Sequence, residues 1–223
     1  MRIGGVQKLS LIDYPGKVAI VIFTQGCNFR CPYCHNRELV LPQEYKDTIP
    51  EQEVLSLLKN RRRYFDAVVV TGGEPTEQKD LAGFLIRVKA MGYLIKLDTN
   101  GSRPEMLRGL MIRGLIDYIA MDIKSSPEKY AKAIGVNFPY EKIQQSIDLI
   151  KSSHLPHRFR TTVVEPMCGF SDVCRIAALL EDTPNYRLQA FRSSPKMVNP
   201  GVQNIAQIPK EEVEAWENSI PLQ

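Results

Sequence analysis

The sequence predicts an α/β fold, a partial (β/α)6 barrel of the TIM-like kind with parallel strands and one side open. Three observations carry this. Short apolar runs alternate with helical stretches six times over, and such alternation calls for a parallel sheet with right-handed crossovers. Polar clusters follow several of the strands directly, where parallel α/β sheets bind their ligands. Six units fall short of the closed eight-unit form, so a gap remains. A flat doubly wound sheet shares the pattern and stays open as an alternative.

The elements follow in order. Residues 18–23 form a buried apolar strand. The stretch 51–62 has apolar residues at Val54, Leu55, Leu57 and Leu58, which suits an amphipathic helix. Strand 67–71, helix 80–90 and strand 93–98 come next. Helix 104–113 opens with Pro104, a residue favoured in the first helical turn. Strand 118–122, helix 140–151, strand 159–164, helix 172–181 and strand 186–191 complete the alternation, and a last helix is expected over 210–218. One domain is expected over residues 1–223, with its core at about 16–195 and a helical tail at about 205–223.

The 223 residues are 43% hydrophobic and 24% charged, ordinary values for a globular protein. A chain this long buries enough apolar surface to fold without disulfides. No run approaches the roughly 18 apolar residues of a membrane span, and the first residues lack a signal-peptide core. The expected location is therefore the cytoplasm, with no membrane partner. The net charge of +4 is mild. Arg61, Arg62 and Arg63 read as a solvated helix end facing the negative pole of the helix dipole, and no other motif suggests a nucleic-acid partner.

Five cysteines are present, three of them within Cys27–Cys34. An odd count with one dense cluster suits a metal site better than a disulfide framework. Cys27, Cys31 and Cys34 have the spacing C-x3-C-x2-C and directly follow the first strand, so they lie on a loop that can wrap three thiolates round one centre. Iron–sulfur clusters usually take four thiolates, and three leave one iron open for a substrate or cofactor. Zinc is the rival, with His35 as a fourth ligand. However, His35 adjoins Cys34, and adjacent side chains rarely converge on one tetrahedral ion. Cys168 and Cys174 have no ligand-like spacing and read as small buried apolar groups. His154 and His157 flank Leu155 and Pro156 and read as surface loop residues.

The segment from Gly26 to Asn36 resembles the signature of the radical S-adenosylmethionine (SAM) superfamily, C-x3-C-x-aromatic-C, with Tyr33 at the aromatic position. The resemblance implies a [4Fe-4S] cluster held by Cys27, Cys31 and Cys34, SAM on its open iron, and Tyr33 near the adenine. Gly72, Gly73 and Glu74 end the second strand and match the superfamily's Gly-Gly-Glu motif, which contacts the amino group of SAM; alone, the tripeptide reads as a turn. Asp98, Thr99, Asn100 and Gly101 match a segment of glycyl-radical-enzyme activases that borders SAM, although Asn-Gly is also a common turn. Asp122, Ile123 and Lys124 resemble the Asp-Leu-Lys motif of those activases, with Ile123 in place of leucine. The resemblance implies that Lys124 reaches the SAM carboxylate and that a monovalent cation lies near Asp98 and Asp122. By position, residues 160–164 and 189–192 line the remaining wall, with Gln189 or Arg192 against the adenosine.

The opening Gly4–Lys17, the stretch Cys31–Asn36 and the stretch Leu188–Arg192 are similar to the compact activating proteins of anaerobic ribonucleoside-triphosphate reductase. That resemblance implies a glycyl-radical enzyme as partner, with this reductase first in line, and a low-potential electron donor such as flavodoxin or ferredoxin. A radical SAM enzyme acting on another glycyl-radical enzyme, a peptide or a small molecule is the alternative.

Overall fold

The computed structural model describes residues 1–180 and 185–220. Its seven strands form one sheet in chain order. They are β1 (Ile3–Ser10), β2 (Ala19–Thr24), β3 (Ala67–Gly72), β4 (Leu94–Thr99), β5 (Tyr118–Asp122), β6 (His157–Val163) and β7 (Tyr186–Ala190). β2 to β7 are parallel. β1 runs antiparallel to β2 along one edge, and no pairing joins β1 to β7 among the described residues. The barrel is therefore open, with six parallel strands as expected and an added seventh. β1 gave no sequence signal because only Ile3 and Ser10, its two ends, are buried, and its register slips twice against β2. An edge strand of this kind has no clean alternation to read.

The connecting helices are α1 (Arg37–Val40), α2 (Glu51–Arg61), α3 (Leu81–Ala90), α4 (Pro104–Ile112), α5 (Tyr130–Ile134), α6 (Tyr140–Lys151), α7 (Phe170–Leu179) and α8 (Lys210–Ser219). α1 and α5 were not expected, since four or five residues are too few to show a helical period. α3 buries Leu81, Phe84, Leu85 and Val88, and α6 buries Ile143, Ser146, Ile147 and Ile150. Both follow the i, i+3, i+4, i+7 stripe of a helix with one apolar face. The expected end of the fifth helix at Glu181, and residues 221–223 of the tail, lie outside the described residues. His157 opens β6 rather than lying in a loop, with its ring 5.5 Å from that of Phe159. Arg62 does cap a helix, but not its own. It donates to the carbonyls of Met91 and Gly92, both at 2.8 Å, just past the end of α3.

Strand alternation divides the sheet into two faces. Ile20, Ile22, Val68, Val70, Ile95, Leu97, Ile119 and Met121 join the helices in the large core. The other face encloses a small apolar cluster of Tyr14, Ala19, Val21, Ala67 and Val69. Register carries that inner face across the sheet, since Val69 pairs with Lys96, Asp98 with Ala120, and Asp122 with Arg160. The barrel interior is thus apolar at one end and charged above it. α8 covers the second edge. Glu217 Oε2 accepts from the Leu188 N–H of β7 at 2.6 Å, and Trp216 packs on Phe170 at 5.1 Å. No helix among the described residues is long and apolar enough to cross a membrane.

Candidate active site

The loop after β2 carries the three clustered cysteines and is fastened from three directions. The Gly26 N–H donates to Leu39 at the end of α1 (2.8 Å), and the Arg30 N–H donates to Ile134 at the end of α5 (2.8 Å). From the segment after β7, the Val198 and Asn199 N–H groups donate to the carbonyls of Cys34 and Pro32, each at 3.0 Å. Phe29 packs edge-on against Phe138 and Tyr130 beneath the loop. The loop is therefore shaped by the fold before any ligand arrives.

Two glycines join this loop to the end of β3. A Cβ on Gly72 would meet Thr24 N at 2.3 Å, and one on Gly73 would meet Gly26 O at 2.1 Å. Only glycine allows backbones to approach this closely. The Gly73 and Glu74 N–H groups then donate to Thr24 and Gly26 at 2.8 Å. The Glu74 side chain is 1% exposed. Its Oε1 accepts from Thr76 N (3.1 Å), Thr76 Oγ1 (2.5 Å) and Thr99 Oγ1 (2.7 Å), and its Oε2 accepts from Asn100 N (2.7 Å). Burial pushes its pKa above the ordinary carboxylate value, and these hydrogen bonds oppose the rise without cancelling it. Asn100 in turn donates through Nδ2 to Asn28 on the cysteine loop at 3.1 Å.

The inner face of β4, β5 and β6 supplies a chain of charges. Lys96 pairs with Asp98 Oδ1. Arg160 bridges the two aspartates, with Nη2 at 3.3 Å from Asp98 Oδ2 and Nε at 2.7 Å from Asp122 Oδ1. Lys124 Nζ lies 3.1 Å from Asp122 Oδ2. Asp122 sits deep in the protein but keeps 31% of its side-chain surface open toward the cavity. Burial alone would raise its pKa, yet Arg160 and Lys124 outweigh burial and hold it at about 2. The same pairing keeps Lys124 and Arg160 charged, with both pKa values raised despite burial. The monovalent cation expected near Asp98 and Asp122 does not fit these residues, because each of their four carboxylate oxygens already faces a protonated side chain.

These loops enclose one cavity of about 410 Å³ at the carboxyl ends of the parallel strands. The expected cysteine-loop and strand-end residues border it, but of the wall expected at residues 160–164 only Thr162 does. Cys27, Cys31, Tyr33 and Cys34 come from the loop after β2; Gly72, Gly73 and Glu74 from the end of β3; Asp98, Thr99 and Asn100 from the end of β4; Asp122 and Lys124 from the end of β5; Gln189 and Arg192 from β7 and just beyond. Tyr33 is buried, with its hydroxyl 3.5 Å from the Lys124 carbonyl. Sequence reasoning missed Lys96 and the bridging role of Arg160. The available signal was Lys96 itself, a lone cation two residues before Asp98 in an apolar strand and so on the same face. His35, considered above only as a zinc ligand, and Phe191, within the expected 189–192 wall, have rings 6.5 Å apart on the cavity wall. Cys168 is buried as expected, but Cys174 is exposed. It falls on the solvent side of α7, whose buried stripe is Asp172, Val173, Ile176 and Ala177.

The donor set fits an iron–sulfur cluster. Burial, the largest influence on each thiol, raises the pKa of Cys27, Cys31 and Cys34, that of Cys31 to about 12. Loading such a group must then displace protons from the thiols. The Phe29 N–H already points at Cys27 Sγ, at 3.4 Å, and hydrogen bonds to the sulfurs are one of the means by which proteins tune such clusters. Among the described residues, no three His, Cys, Asp or Glu side chains group closely enough to hold a single ion. A lone zinc needs its donors about 2 Å from one point, whereas a cubane takes three thiolates at separate corners.

Comparison with known proteins agrees with this chemistry. Residues 21–180 match the radical SAM superfamily. A Methanocaldococcus jannaschii protein provisionally named a glycyl-radical enzyme activating enzyme is 37% identical over 194 residues, covering 85% of this chain and 79% of that protein. The pyruvate formate-lyase-activating enzyme of Listeria monocytogenes is 34% identical over 146 residues, and the match spans 59% of this chain but only 56% of that enzyme. Among solved structures, Streptococcus suis SuiB bound to S-adenosylmethionine superimposes with a TM-score of 0.66 at 12% identity, over 89% of this chain and 48% of SuiB. That last likeness concerns the fold alone.

Proposed function

The chain belongs to the radical SAM superfamily, which implies a [4Fe-4S] cluster and SAM, and from that premise we propose that it is a glycyl-radical-enzyme activase whose partner is an anaerobic ribonucleoside-triphosphate reductase. When bound, the cluster and SAM supply a reductive cleavage of the sulfonium that provides a hydrogen-abstracting radical.

The chain's residues provide binding and orientation. Cys27, Cys31 and Cys34 would hold the cluster, three thiolates against the usual four, which would leave one iron open to SAM. Gly72 and Gly73 let backbone carbonyls reach the SAM ammonium. Glu74 acts on that contact by fixing the two adjoining loops together. Lys124 offers positive charge to the SAM carboxylate, a charge-assisted contact of the stronger kind, while Arg160 stays paired with Asp98 and Asp122. Tyr33, Gln189 and Arg192 border the adenosine side. The electron arrives from a low-potential donor such as flavodoxin or ferredoxin. The gap between β1 and β7 gives a protein segment a way in, and a glycine suits the abstraction because it has no side chain to obstruct it.

One observation carries the reading. Three thiols on a single preshaped loop share a cavity with Lys124 and Arg192, at the strand ends of a barrel that stays open on one side. The test is anaerobic reconstitution with iron and sulfide, followed by SAM, dithionite and the candidate reductase. The expected result is a glycine-centred radical seen by electron paramagnetic resonance, absent in Cys31→Ala. SAM cleavage without any radical on the reductase would reject that partner. Full activity of Cys31→Ala would reject the cluster assignment.

A further inference from the structure

We propose that Arg160, flanked by Lys96 and Lys124, is a built-in cation that takes the place of an alkali-metal ion between Asp98 and Asp122, so that this chain binds SAM equally well with or without sodium or potassium. The inference rests on the reading that the cavity takes SAM.

Asp98 and Asp122 lie at the ends of adjacent strands and share the inner face of the barrel. Two carboxylates so placed repel each other unless a positive charge stands between them. Arg160 stands there, one strand further on. Its guanidinium reaches Asp122 through Nε (2.7 Å) and Asp98 through Nη2 (3.3 Å). A planar guanidinium carries several donors in fixed directions and cannot be deprotonated, which suits a permanent bridge between two carboxylates. Lys96 takes the outer oxygen of Asp98, and Lys124 takes that of Asp122.

Oxygen count and charge count lead to the same conclusion. A hard cation needs several oxygen ligands, and here it would have to share each of the four carboxylate oxygens with a cationic donor already bonded to it. Three cations and two carboxylates leave a local excess of one positive charge. An added alkali ion would face that excess in a site where the Arg160 side chain is only 21% exposed, so solvent screens the repulsion weakly. An anionic ligand group meets the reverse situation. The excess is of the right sign for the carboxylate of SAM, so the bridge both joins the aspartates and contributes to binding. Arg160 is on this view a positioning residue that a metal ion replaces in its absence.

The experiment uses the full chain. SAM affinity of the reconstituted protein is measured by anaerobic equilibrium dialysis in choline, sodium or potassium chloride at one ionic strength of about 0.1 M, where the Debye length is about 10 Å. Thermal melting of the cluster-free protein is followed in the same salts. For the wild type, the three salts should agree within about twofold, too small a coupling for an effector site. For Arg160→Met, affinity in choline should fall by about tenfold or more. Potassium or sodium should restore most of it and raise the melting temperature of the cluster-free variant, while choline does neither. A wild type that binds SAM about tenfold better in potassium than in choline would overturn the proposal, as would an Arg160→Met protein insensitive to alkali ions in both measurements. Should Arg160→Met fail to fold, the wild-type salt series with Lys96→Met decides the matter by the same criteria. If the wild type binds no SAM in any salt, the SAM reading of the cavity fails, and the melting curves alone decide on the built-in cation.

Discussion

Glu74 Oε2 accepts a hydrogen bond of 2.7 Å from the backbone N–H of Asn100, and this bond fixes the turn after β3 to the turn after β4. With Thr76 and Thr99 on Oε1, the carboxylate gathers three donors beyond Asn100 in a fully enclosed place. Glu74→Gln keeps the shape but turns an NH2 toward donors that need an acceptor. We expect a loss of about 2 kcal/mol in stability, read from urea unfolding of the cluster-free protein, together with weaker SAM binding after reconstitution. An unchanged unfolding midpoint would show that the carboxylate does not brace the turns.

Gly73 and Gly109 make a matched pair of glycine-to-alanine tests. At Gly73 the new methyl would lie 2.1 Å from the Gly26 carbonyl, while at Gly109, inside α4, nothing stands within 4 Å. Gly73→Ala should spread the cysteine loop from β3 and leave less iron and sulfide bound per chain after reconstitution. Gly109→Ala should leave metal content intact and stabilise the fold by about 0.5–1 kcal/mol through helix propensity. Iron analysis and thermal melting of both variants check this, and equal iron content in the two would contradict the close-approach explanation.

Asp122 gives a pH signature. Its pKa is held at about 2 in the folded protein, against an ordinary value of 3.8. A carboxyl lowered by folding stabilises the native state fully above 3.8 and loses that contribution as pH falls toward 2. Partial exposure to the cavity limits the contribution to on the order of 1–2 kcal/mol. The stability gap between wild type and Asp122→Asn, measured by urea unfolding, should be largest near pH 5 and shrink below pH 3. A gap that stays constant across this range would show that the ion pairs with Arg160 and Lys124 add nothing.

The site was legible in the sequence to the extent that its residues are contiguous. Cys27, Cys31 and Cys34 share one loop, and Gly72–Glu74 or Asp98–Asn100 each end one strand, so spacing and strand-end position suffice to place them. Lys96 could be read from its own strand, two residues before Asp98. Arg160 is different: its importance arises from cross-strand register, which brings it beside Asp122 and cannot be read from either strand by itself. The parallel core was legible because both faces of β2 and β3 are apolar; β1 was not, since an edge strand with glycines and two register slips has no period. Cys174 was misjudged because residue type alone says nothing of where a position falls round a helix. Its neighbours Val173 and Ile176 face the core and turn it outward.

The N–H groups of Val198 and Asn199 hold the carbonyls of Cys34 and Pro32. The turn bearing the thiols leaves the ribosome well before these two backbone partners, which lie far later in the chain. A chain cut before residue 198 would carry all three thiols and lack two of the bonds that shape their turn, so the first-made motif is completed by a late-made stretch of polypeptide.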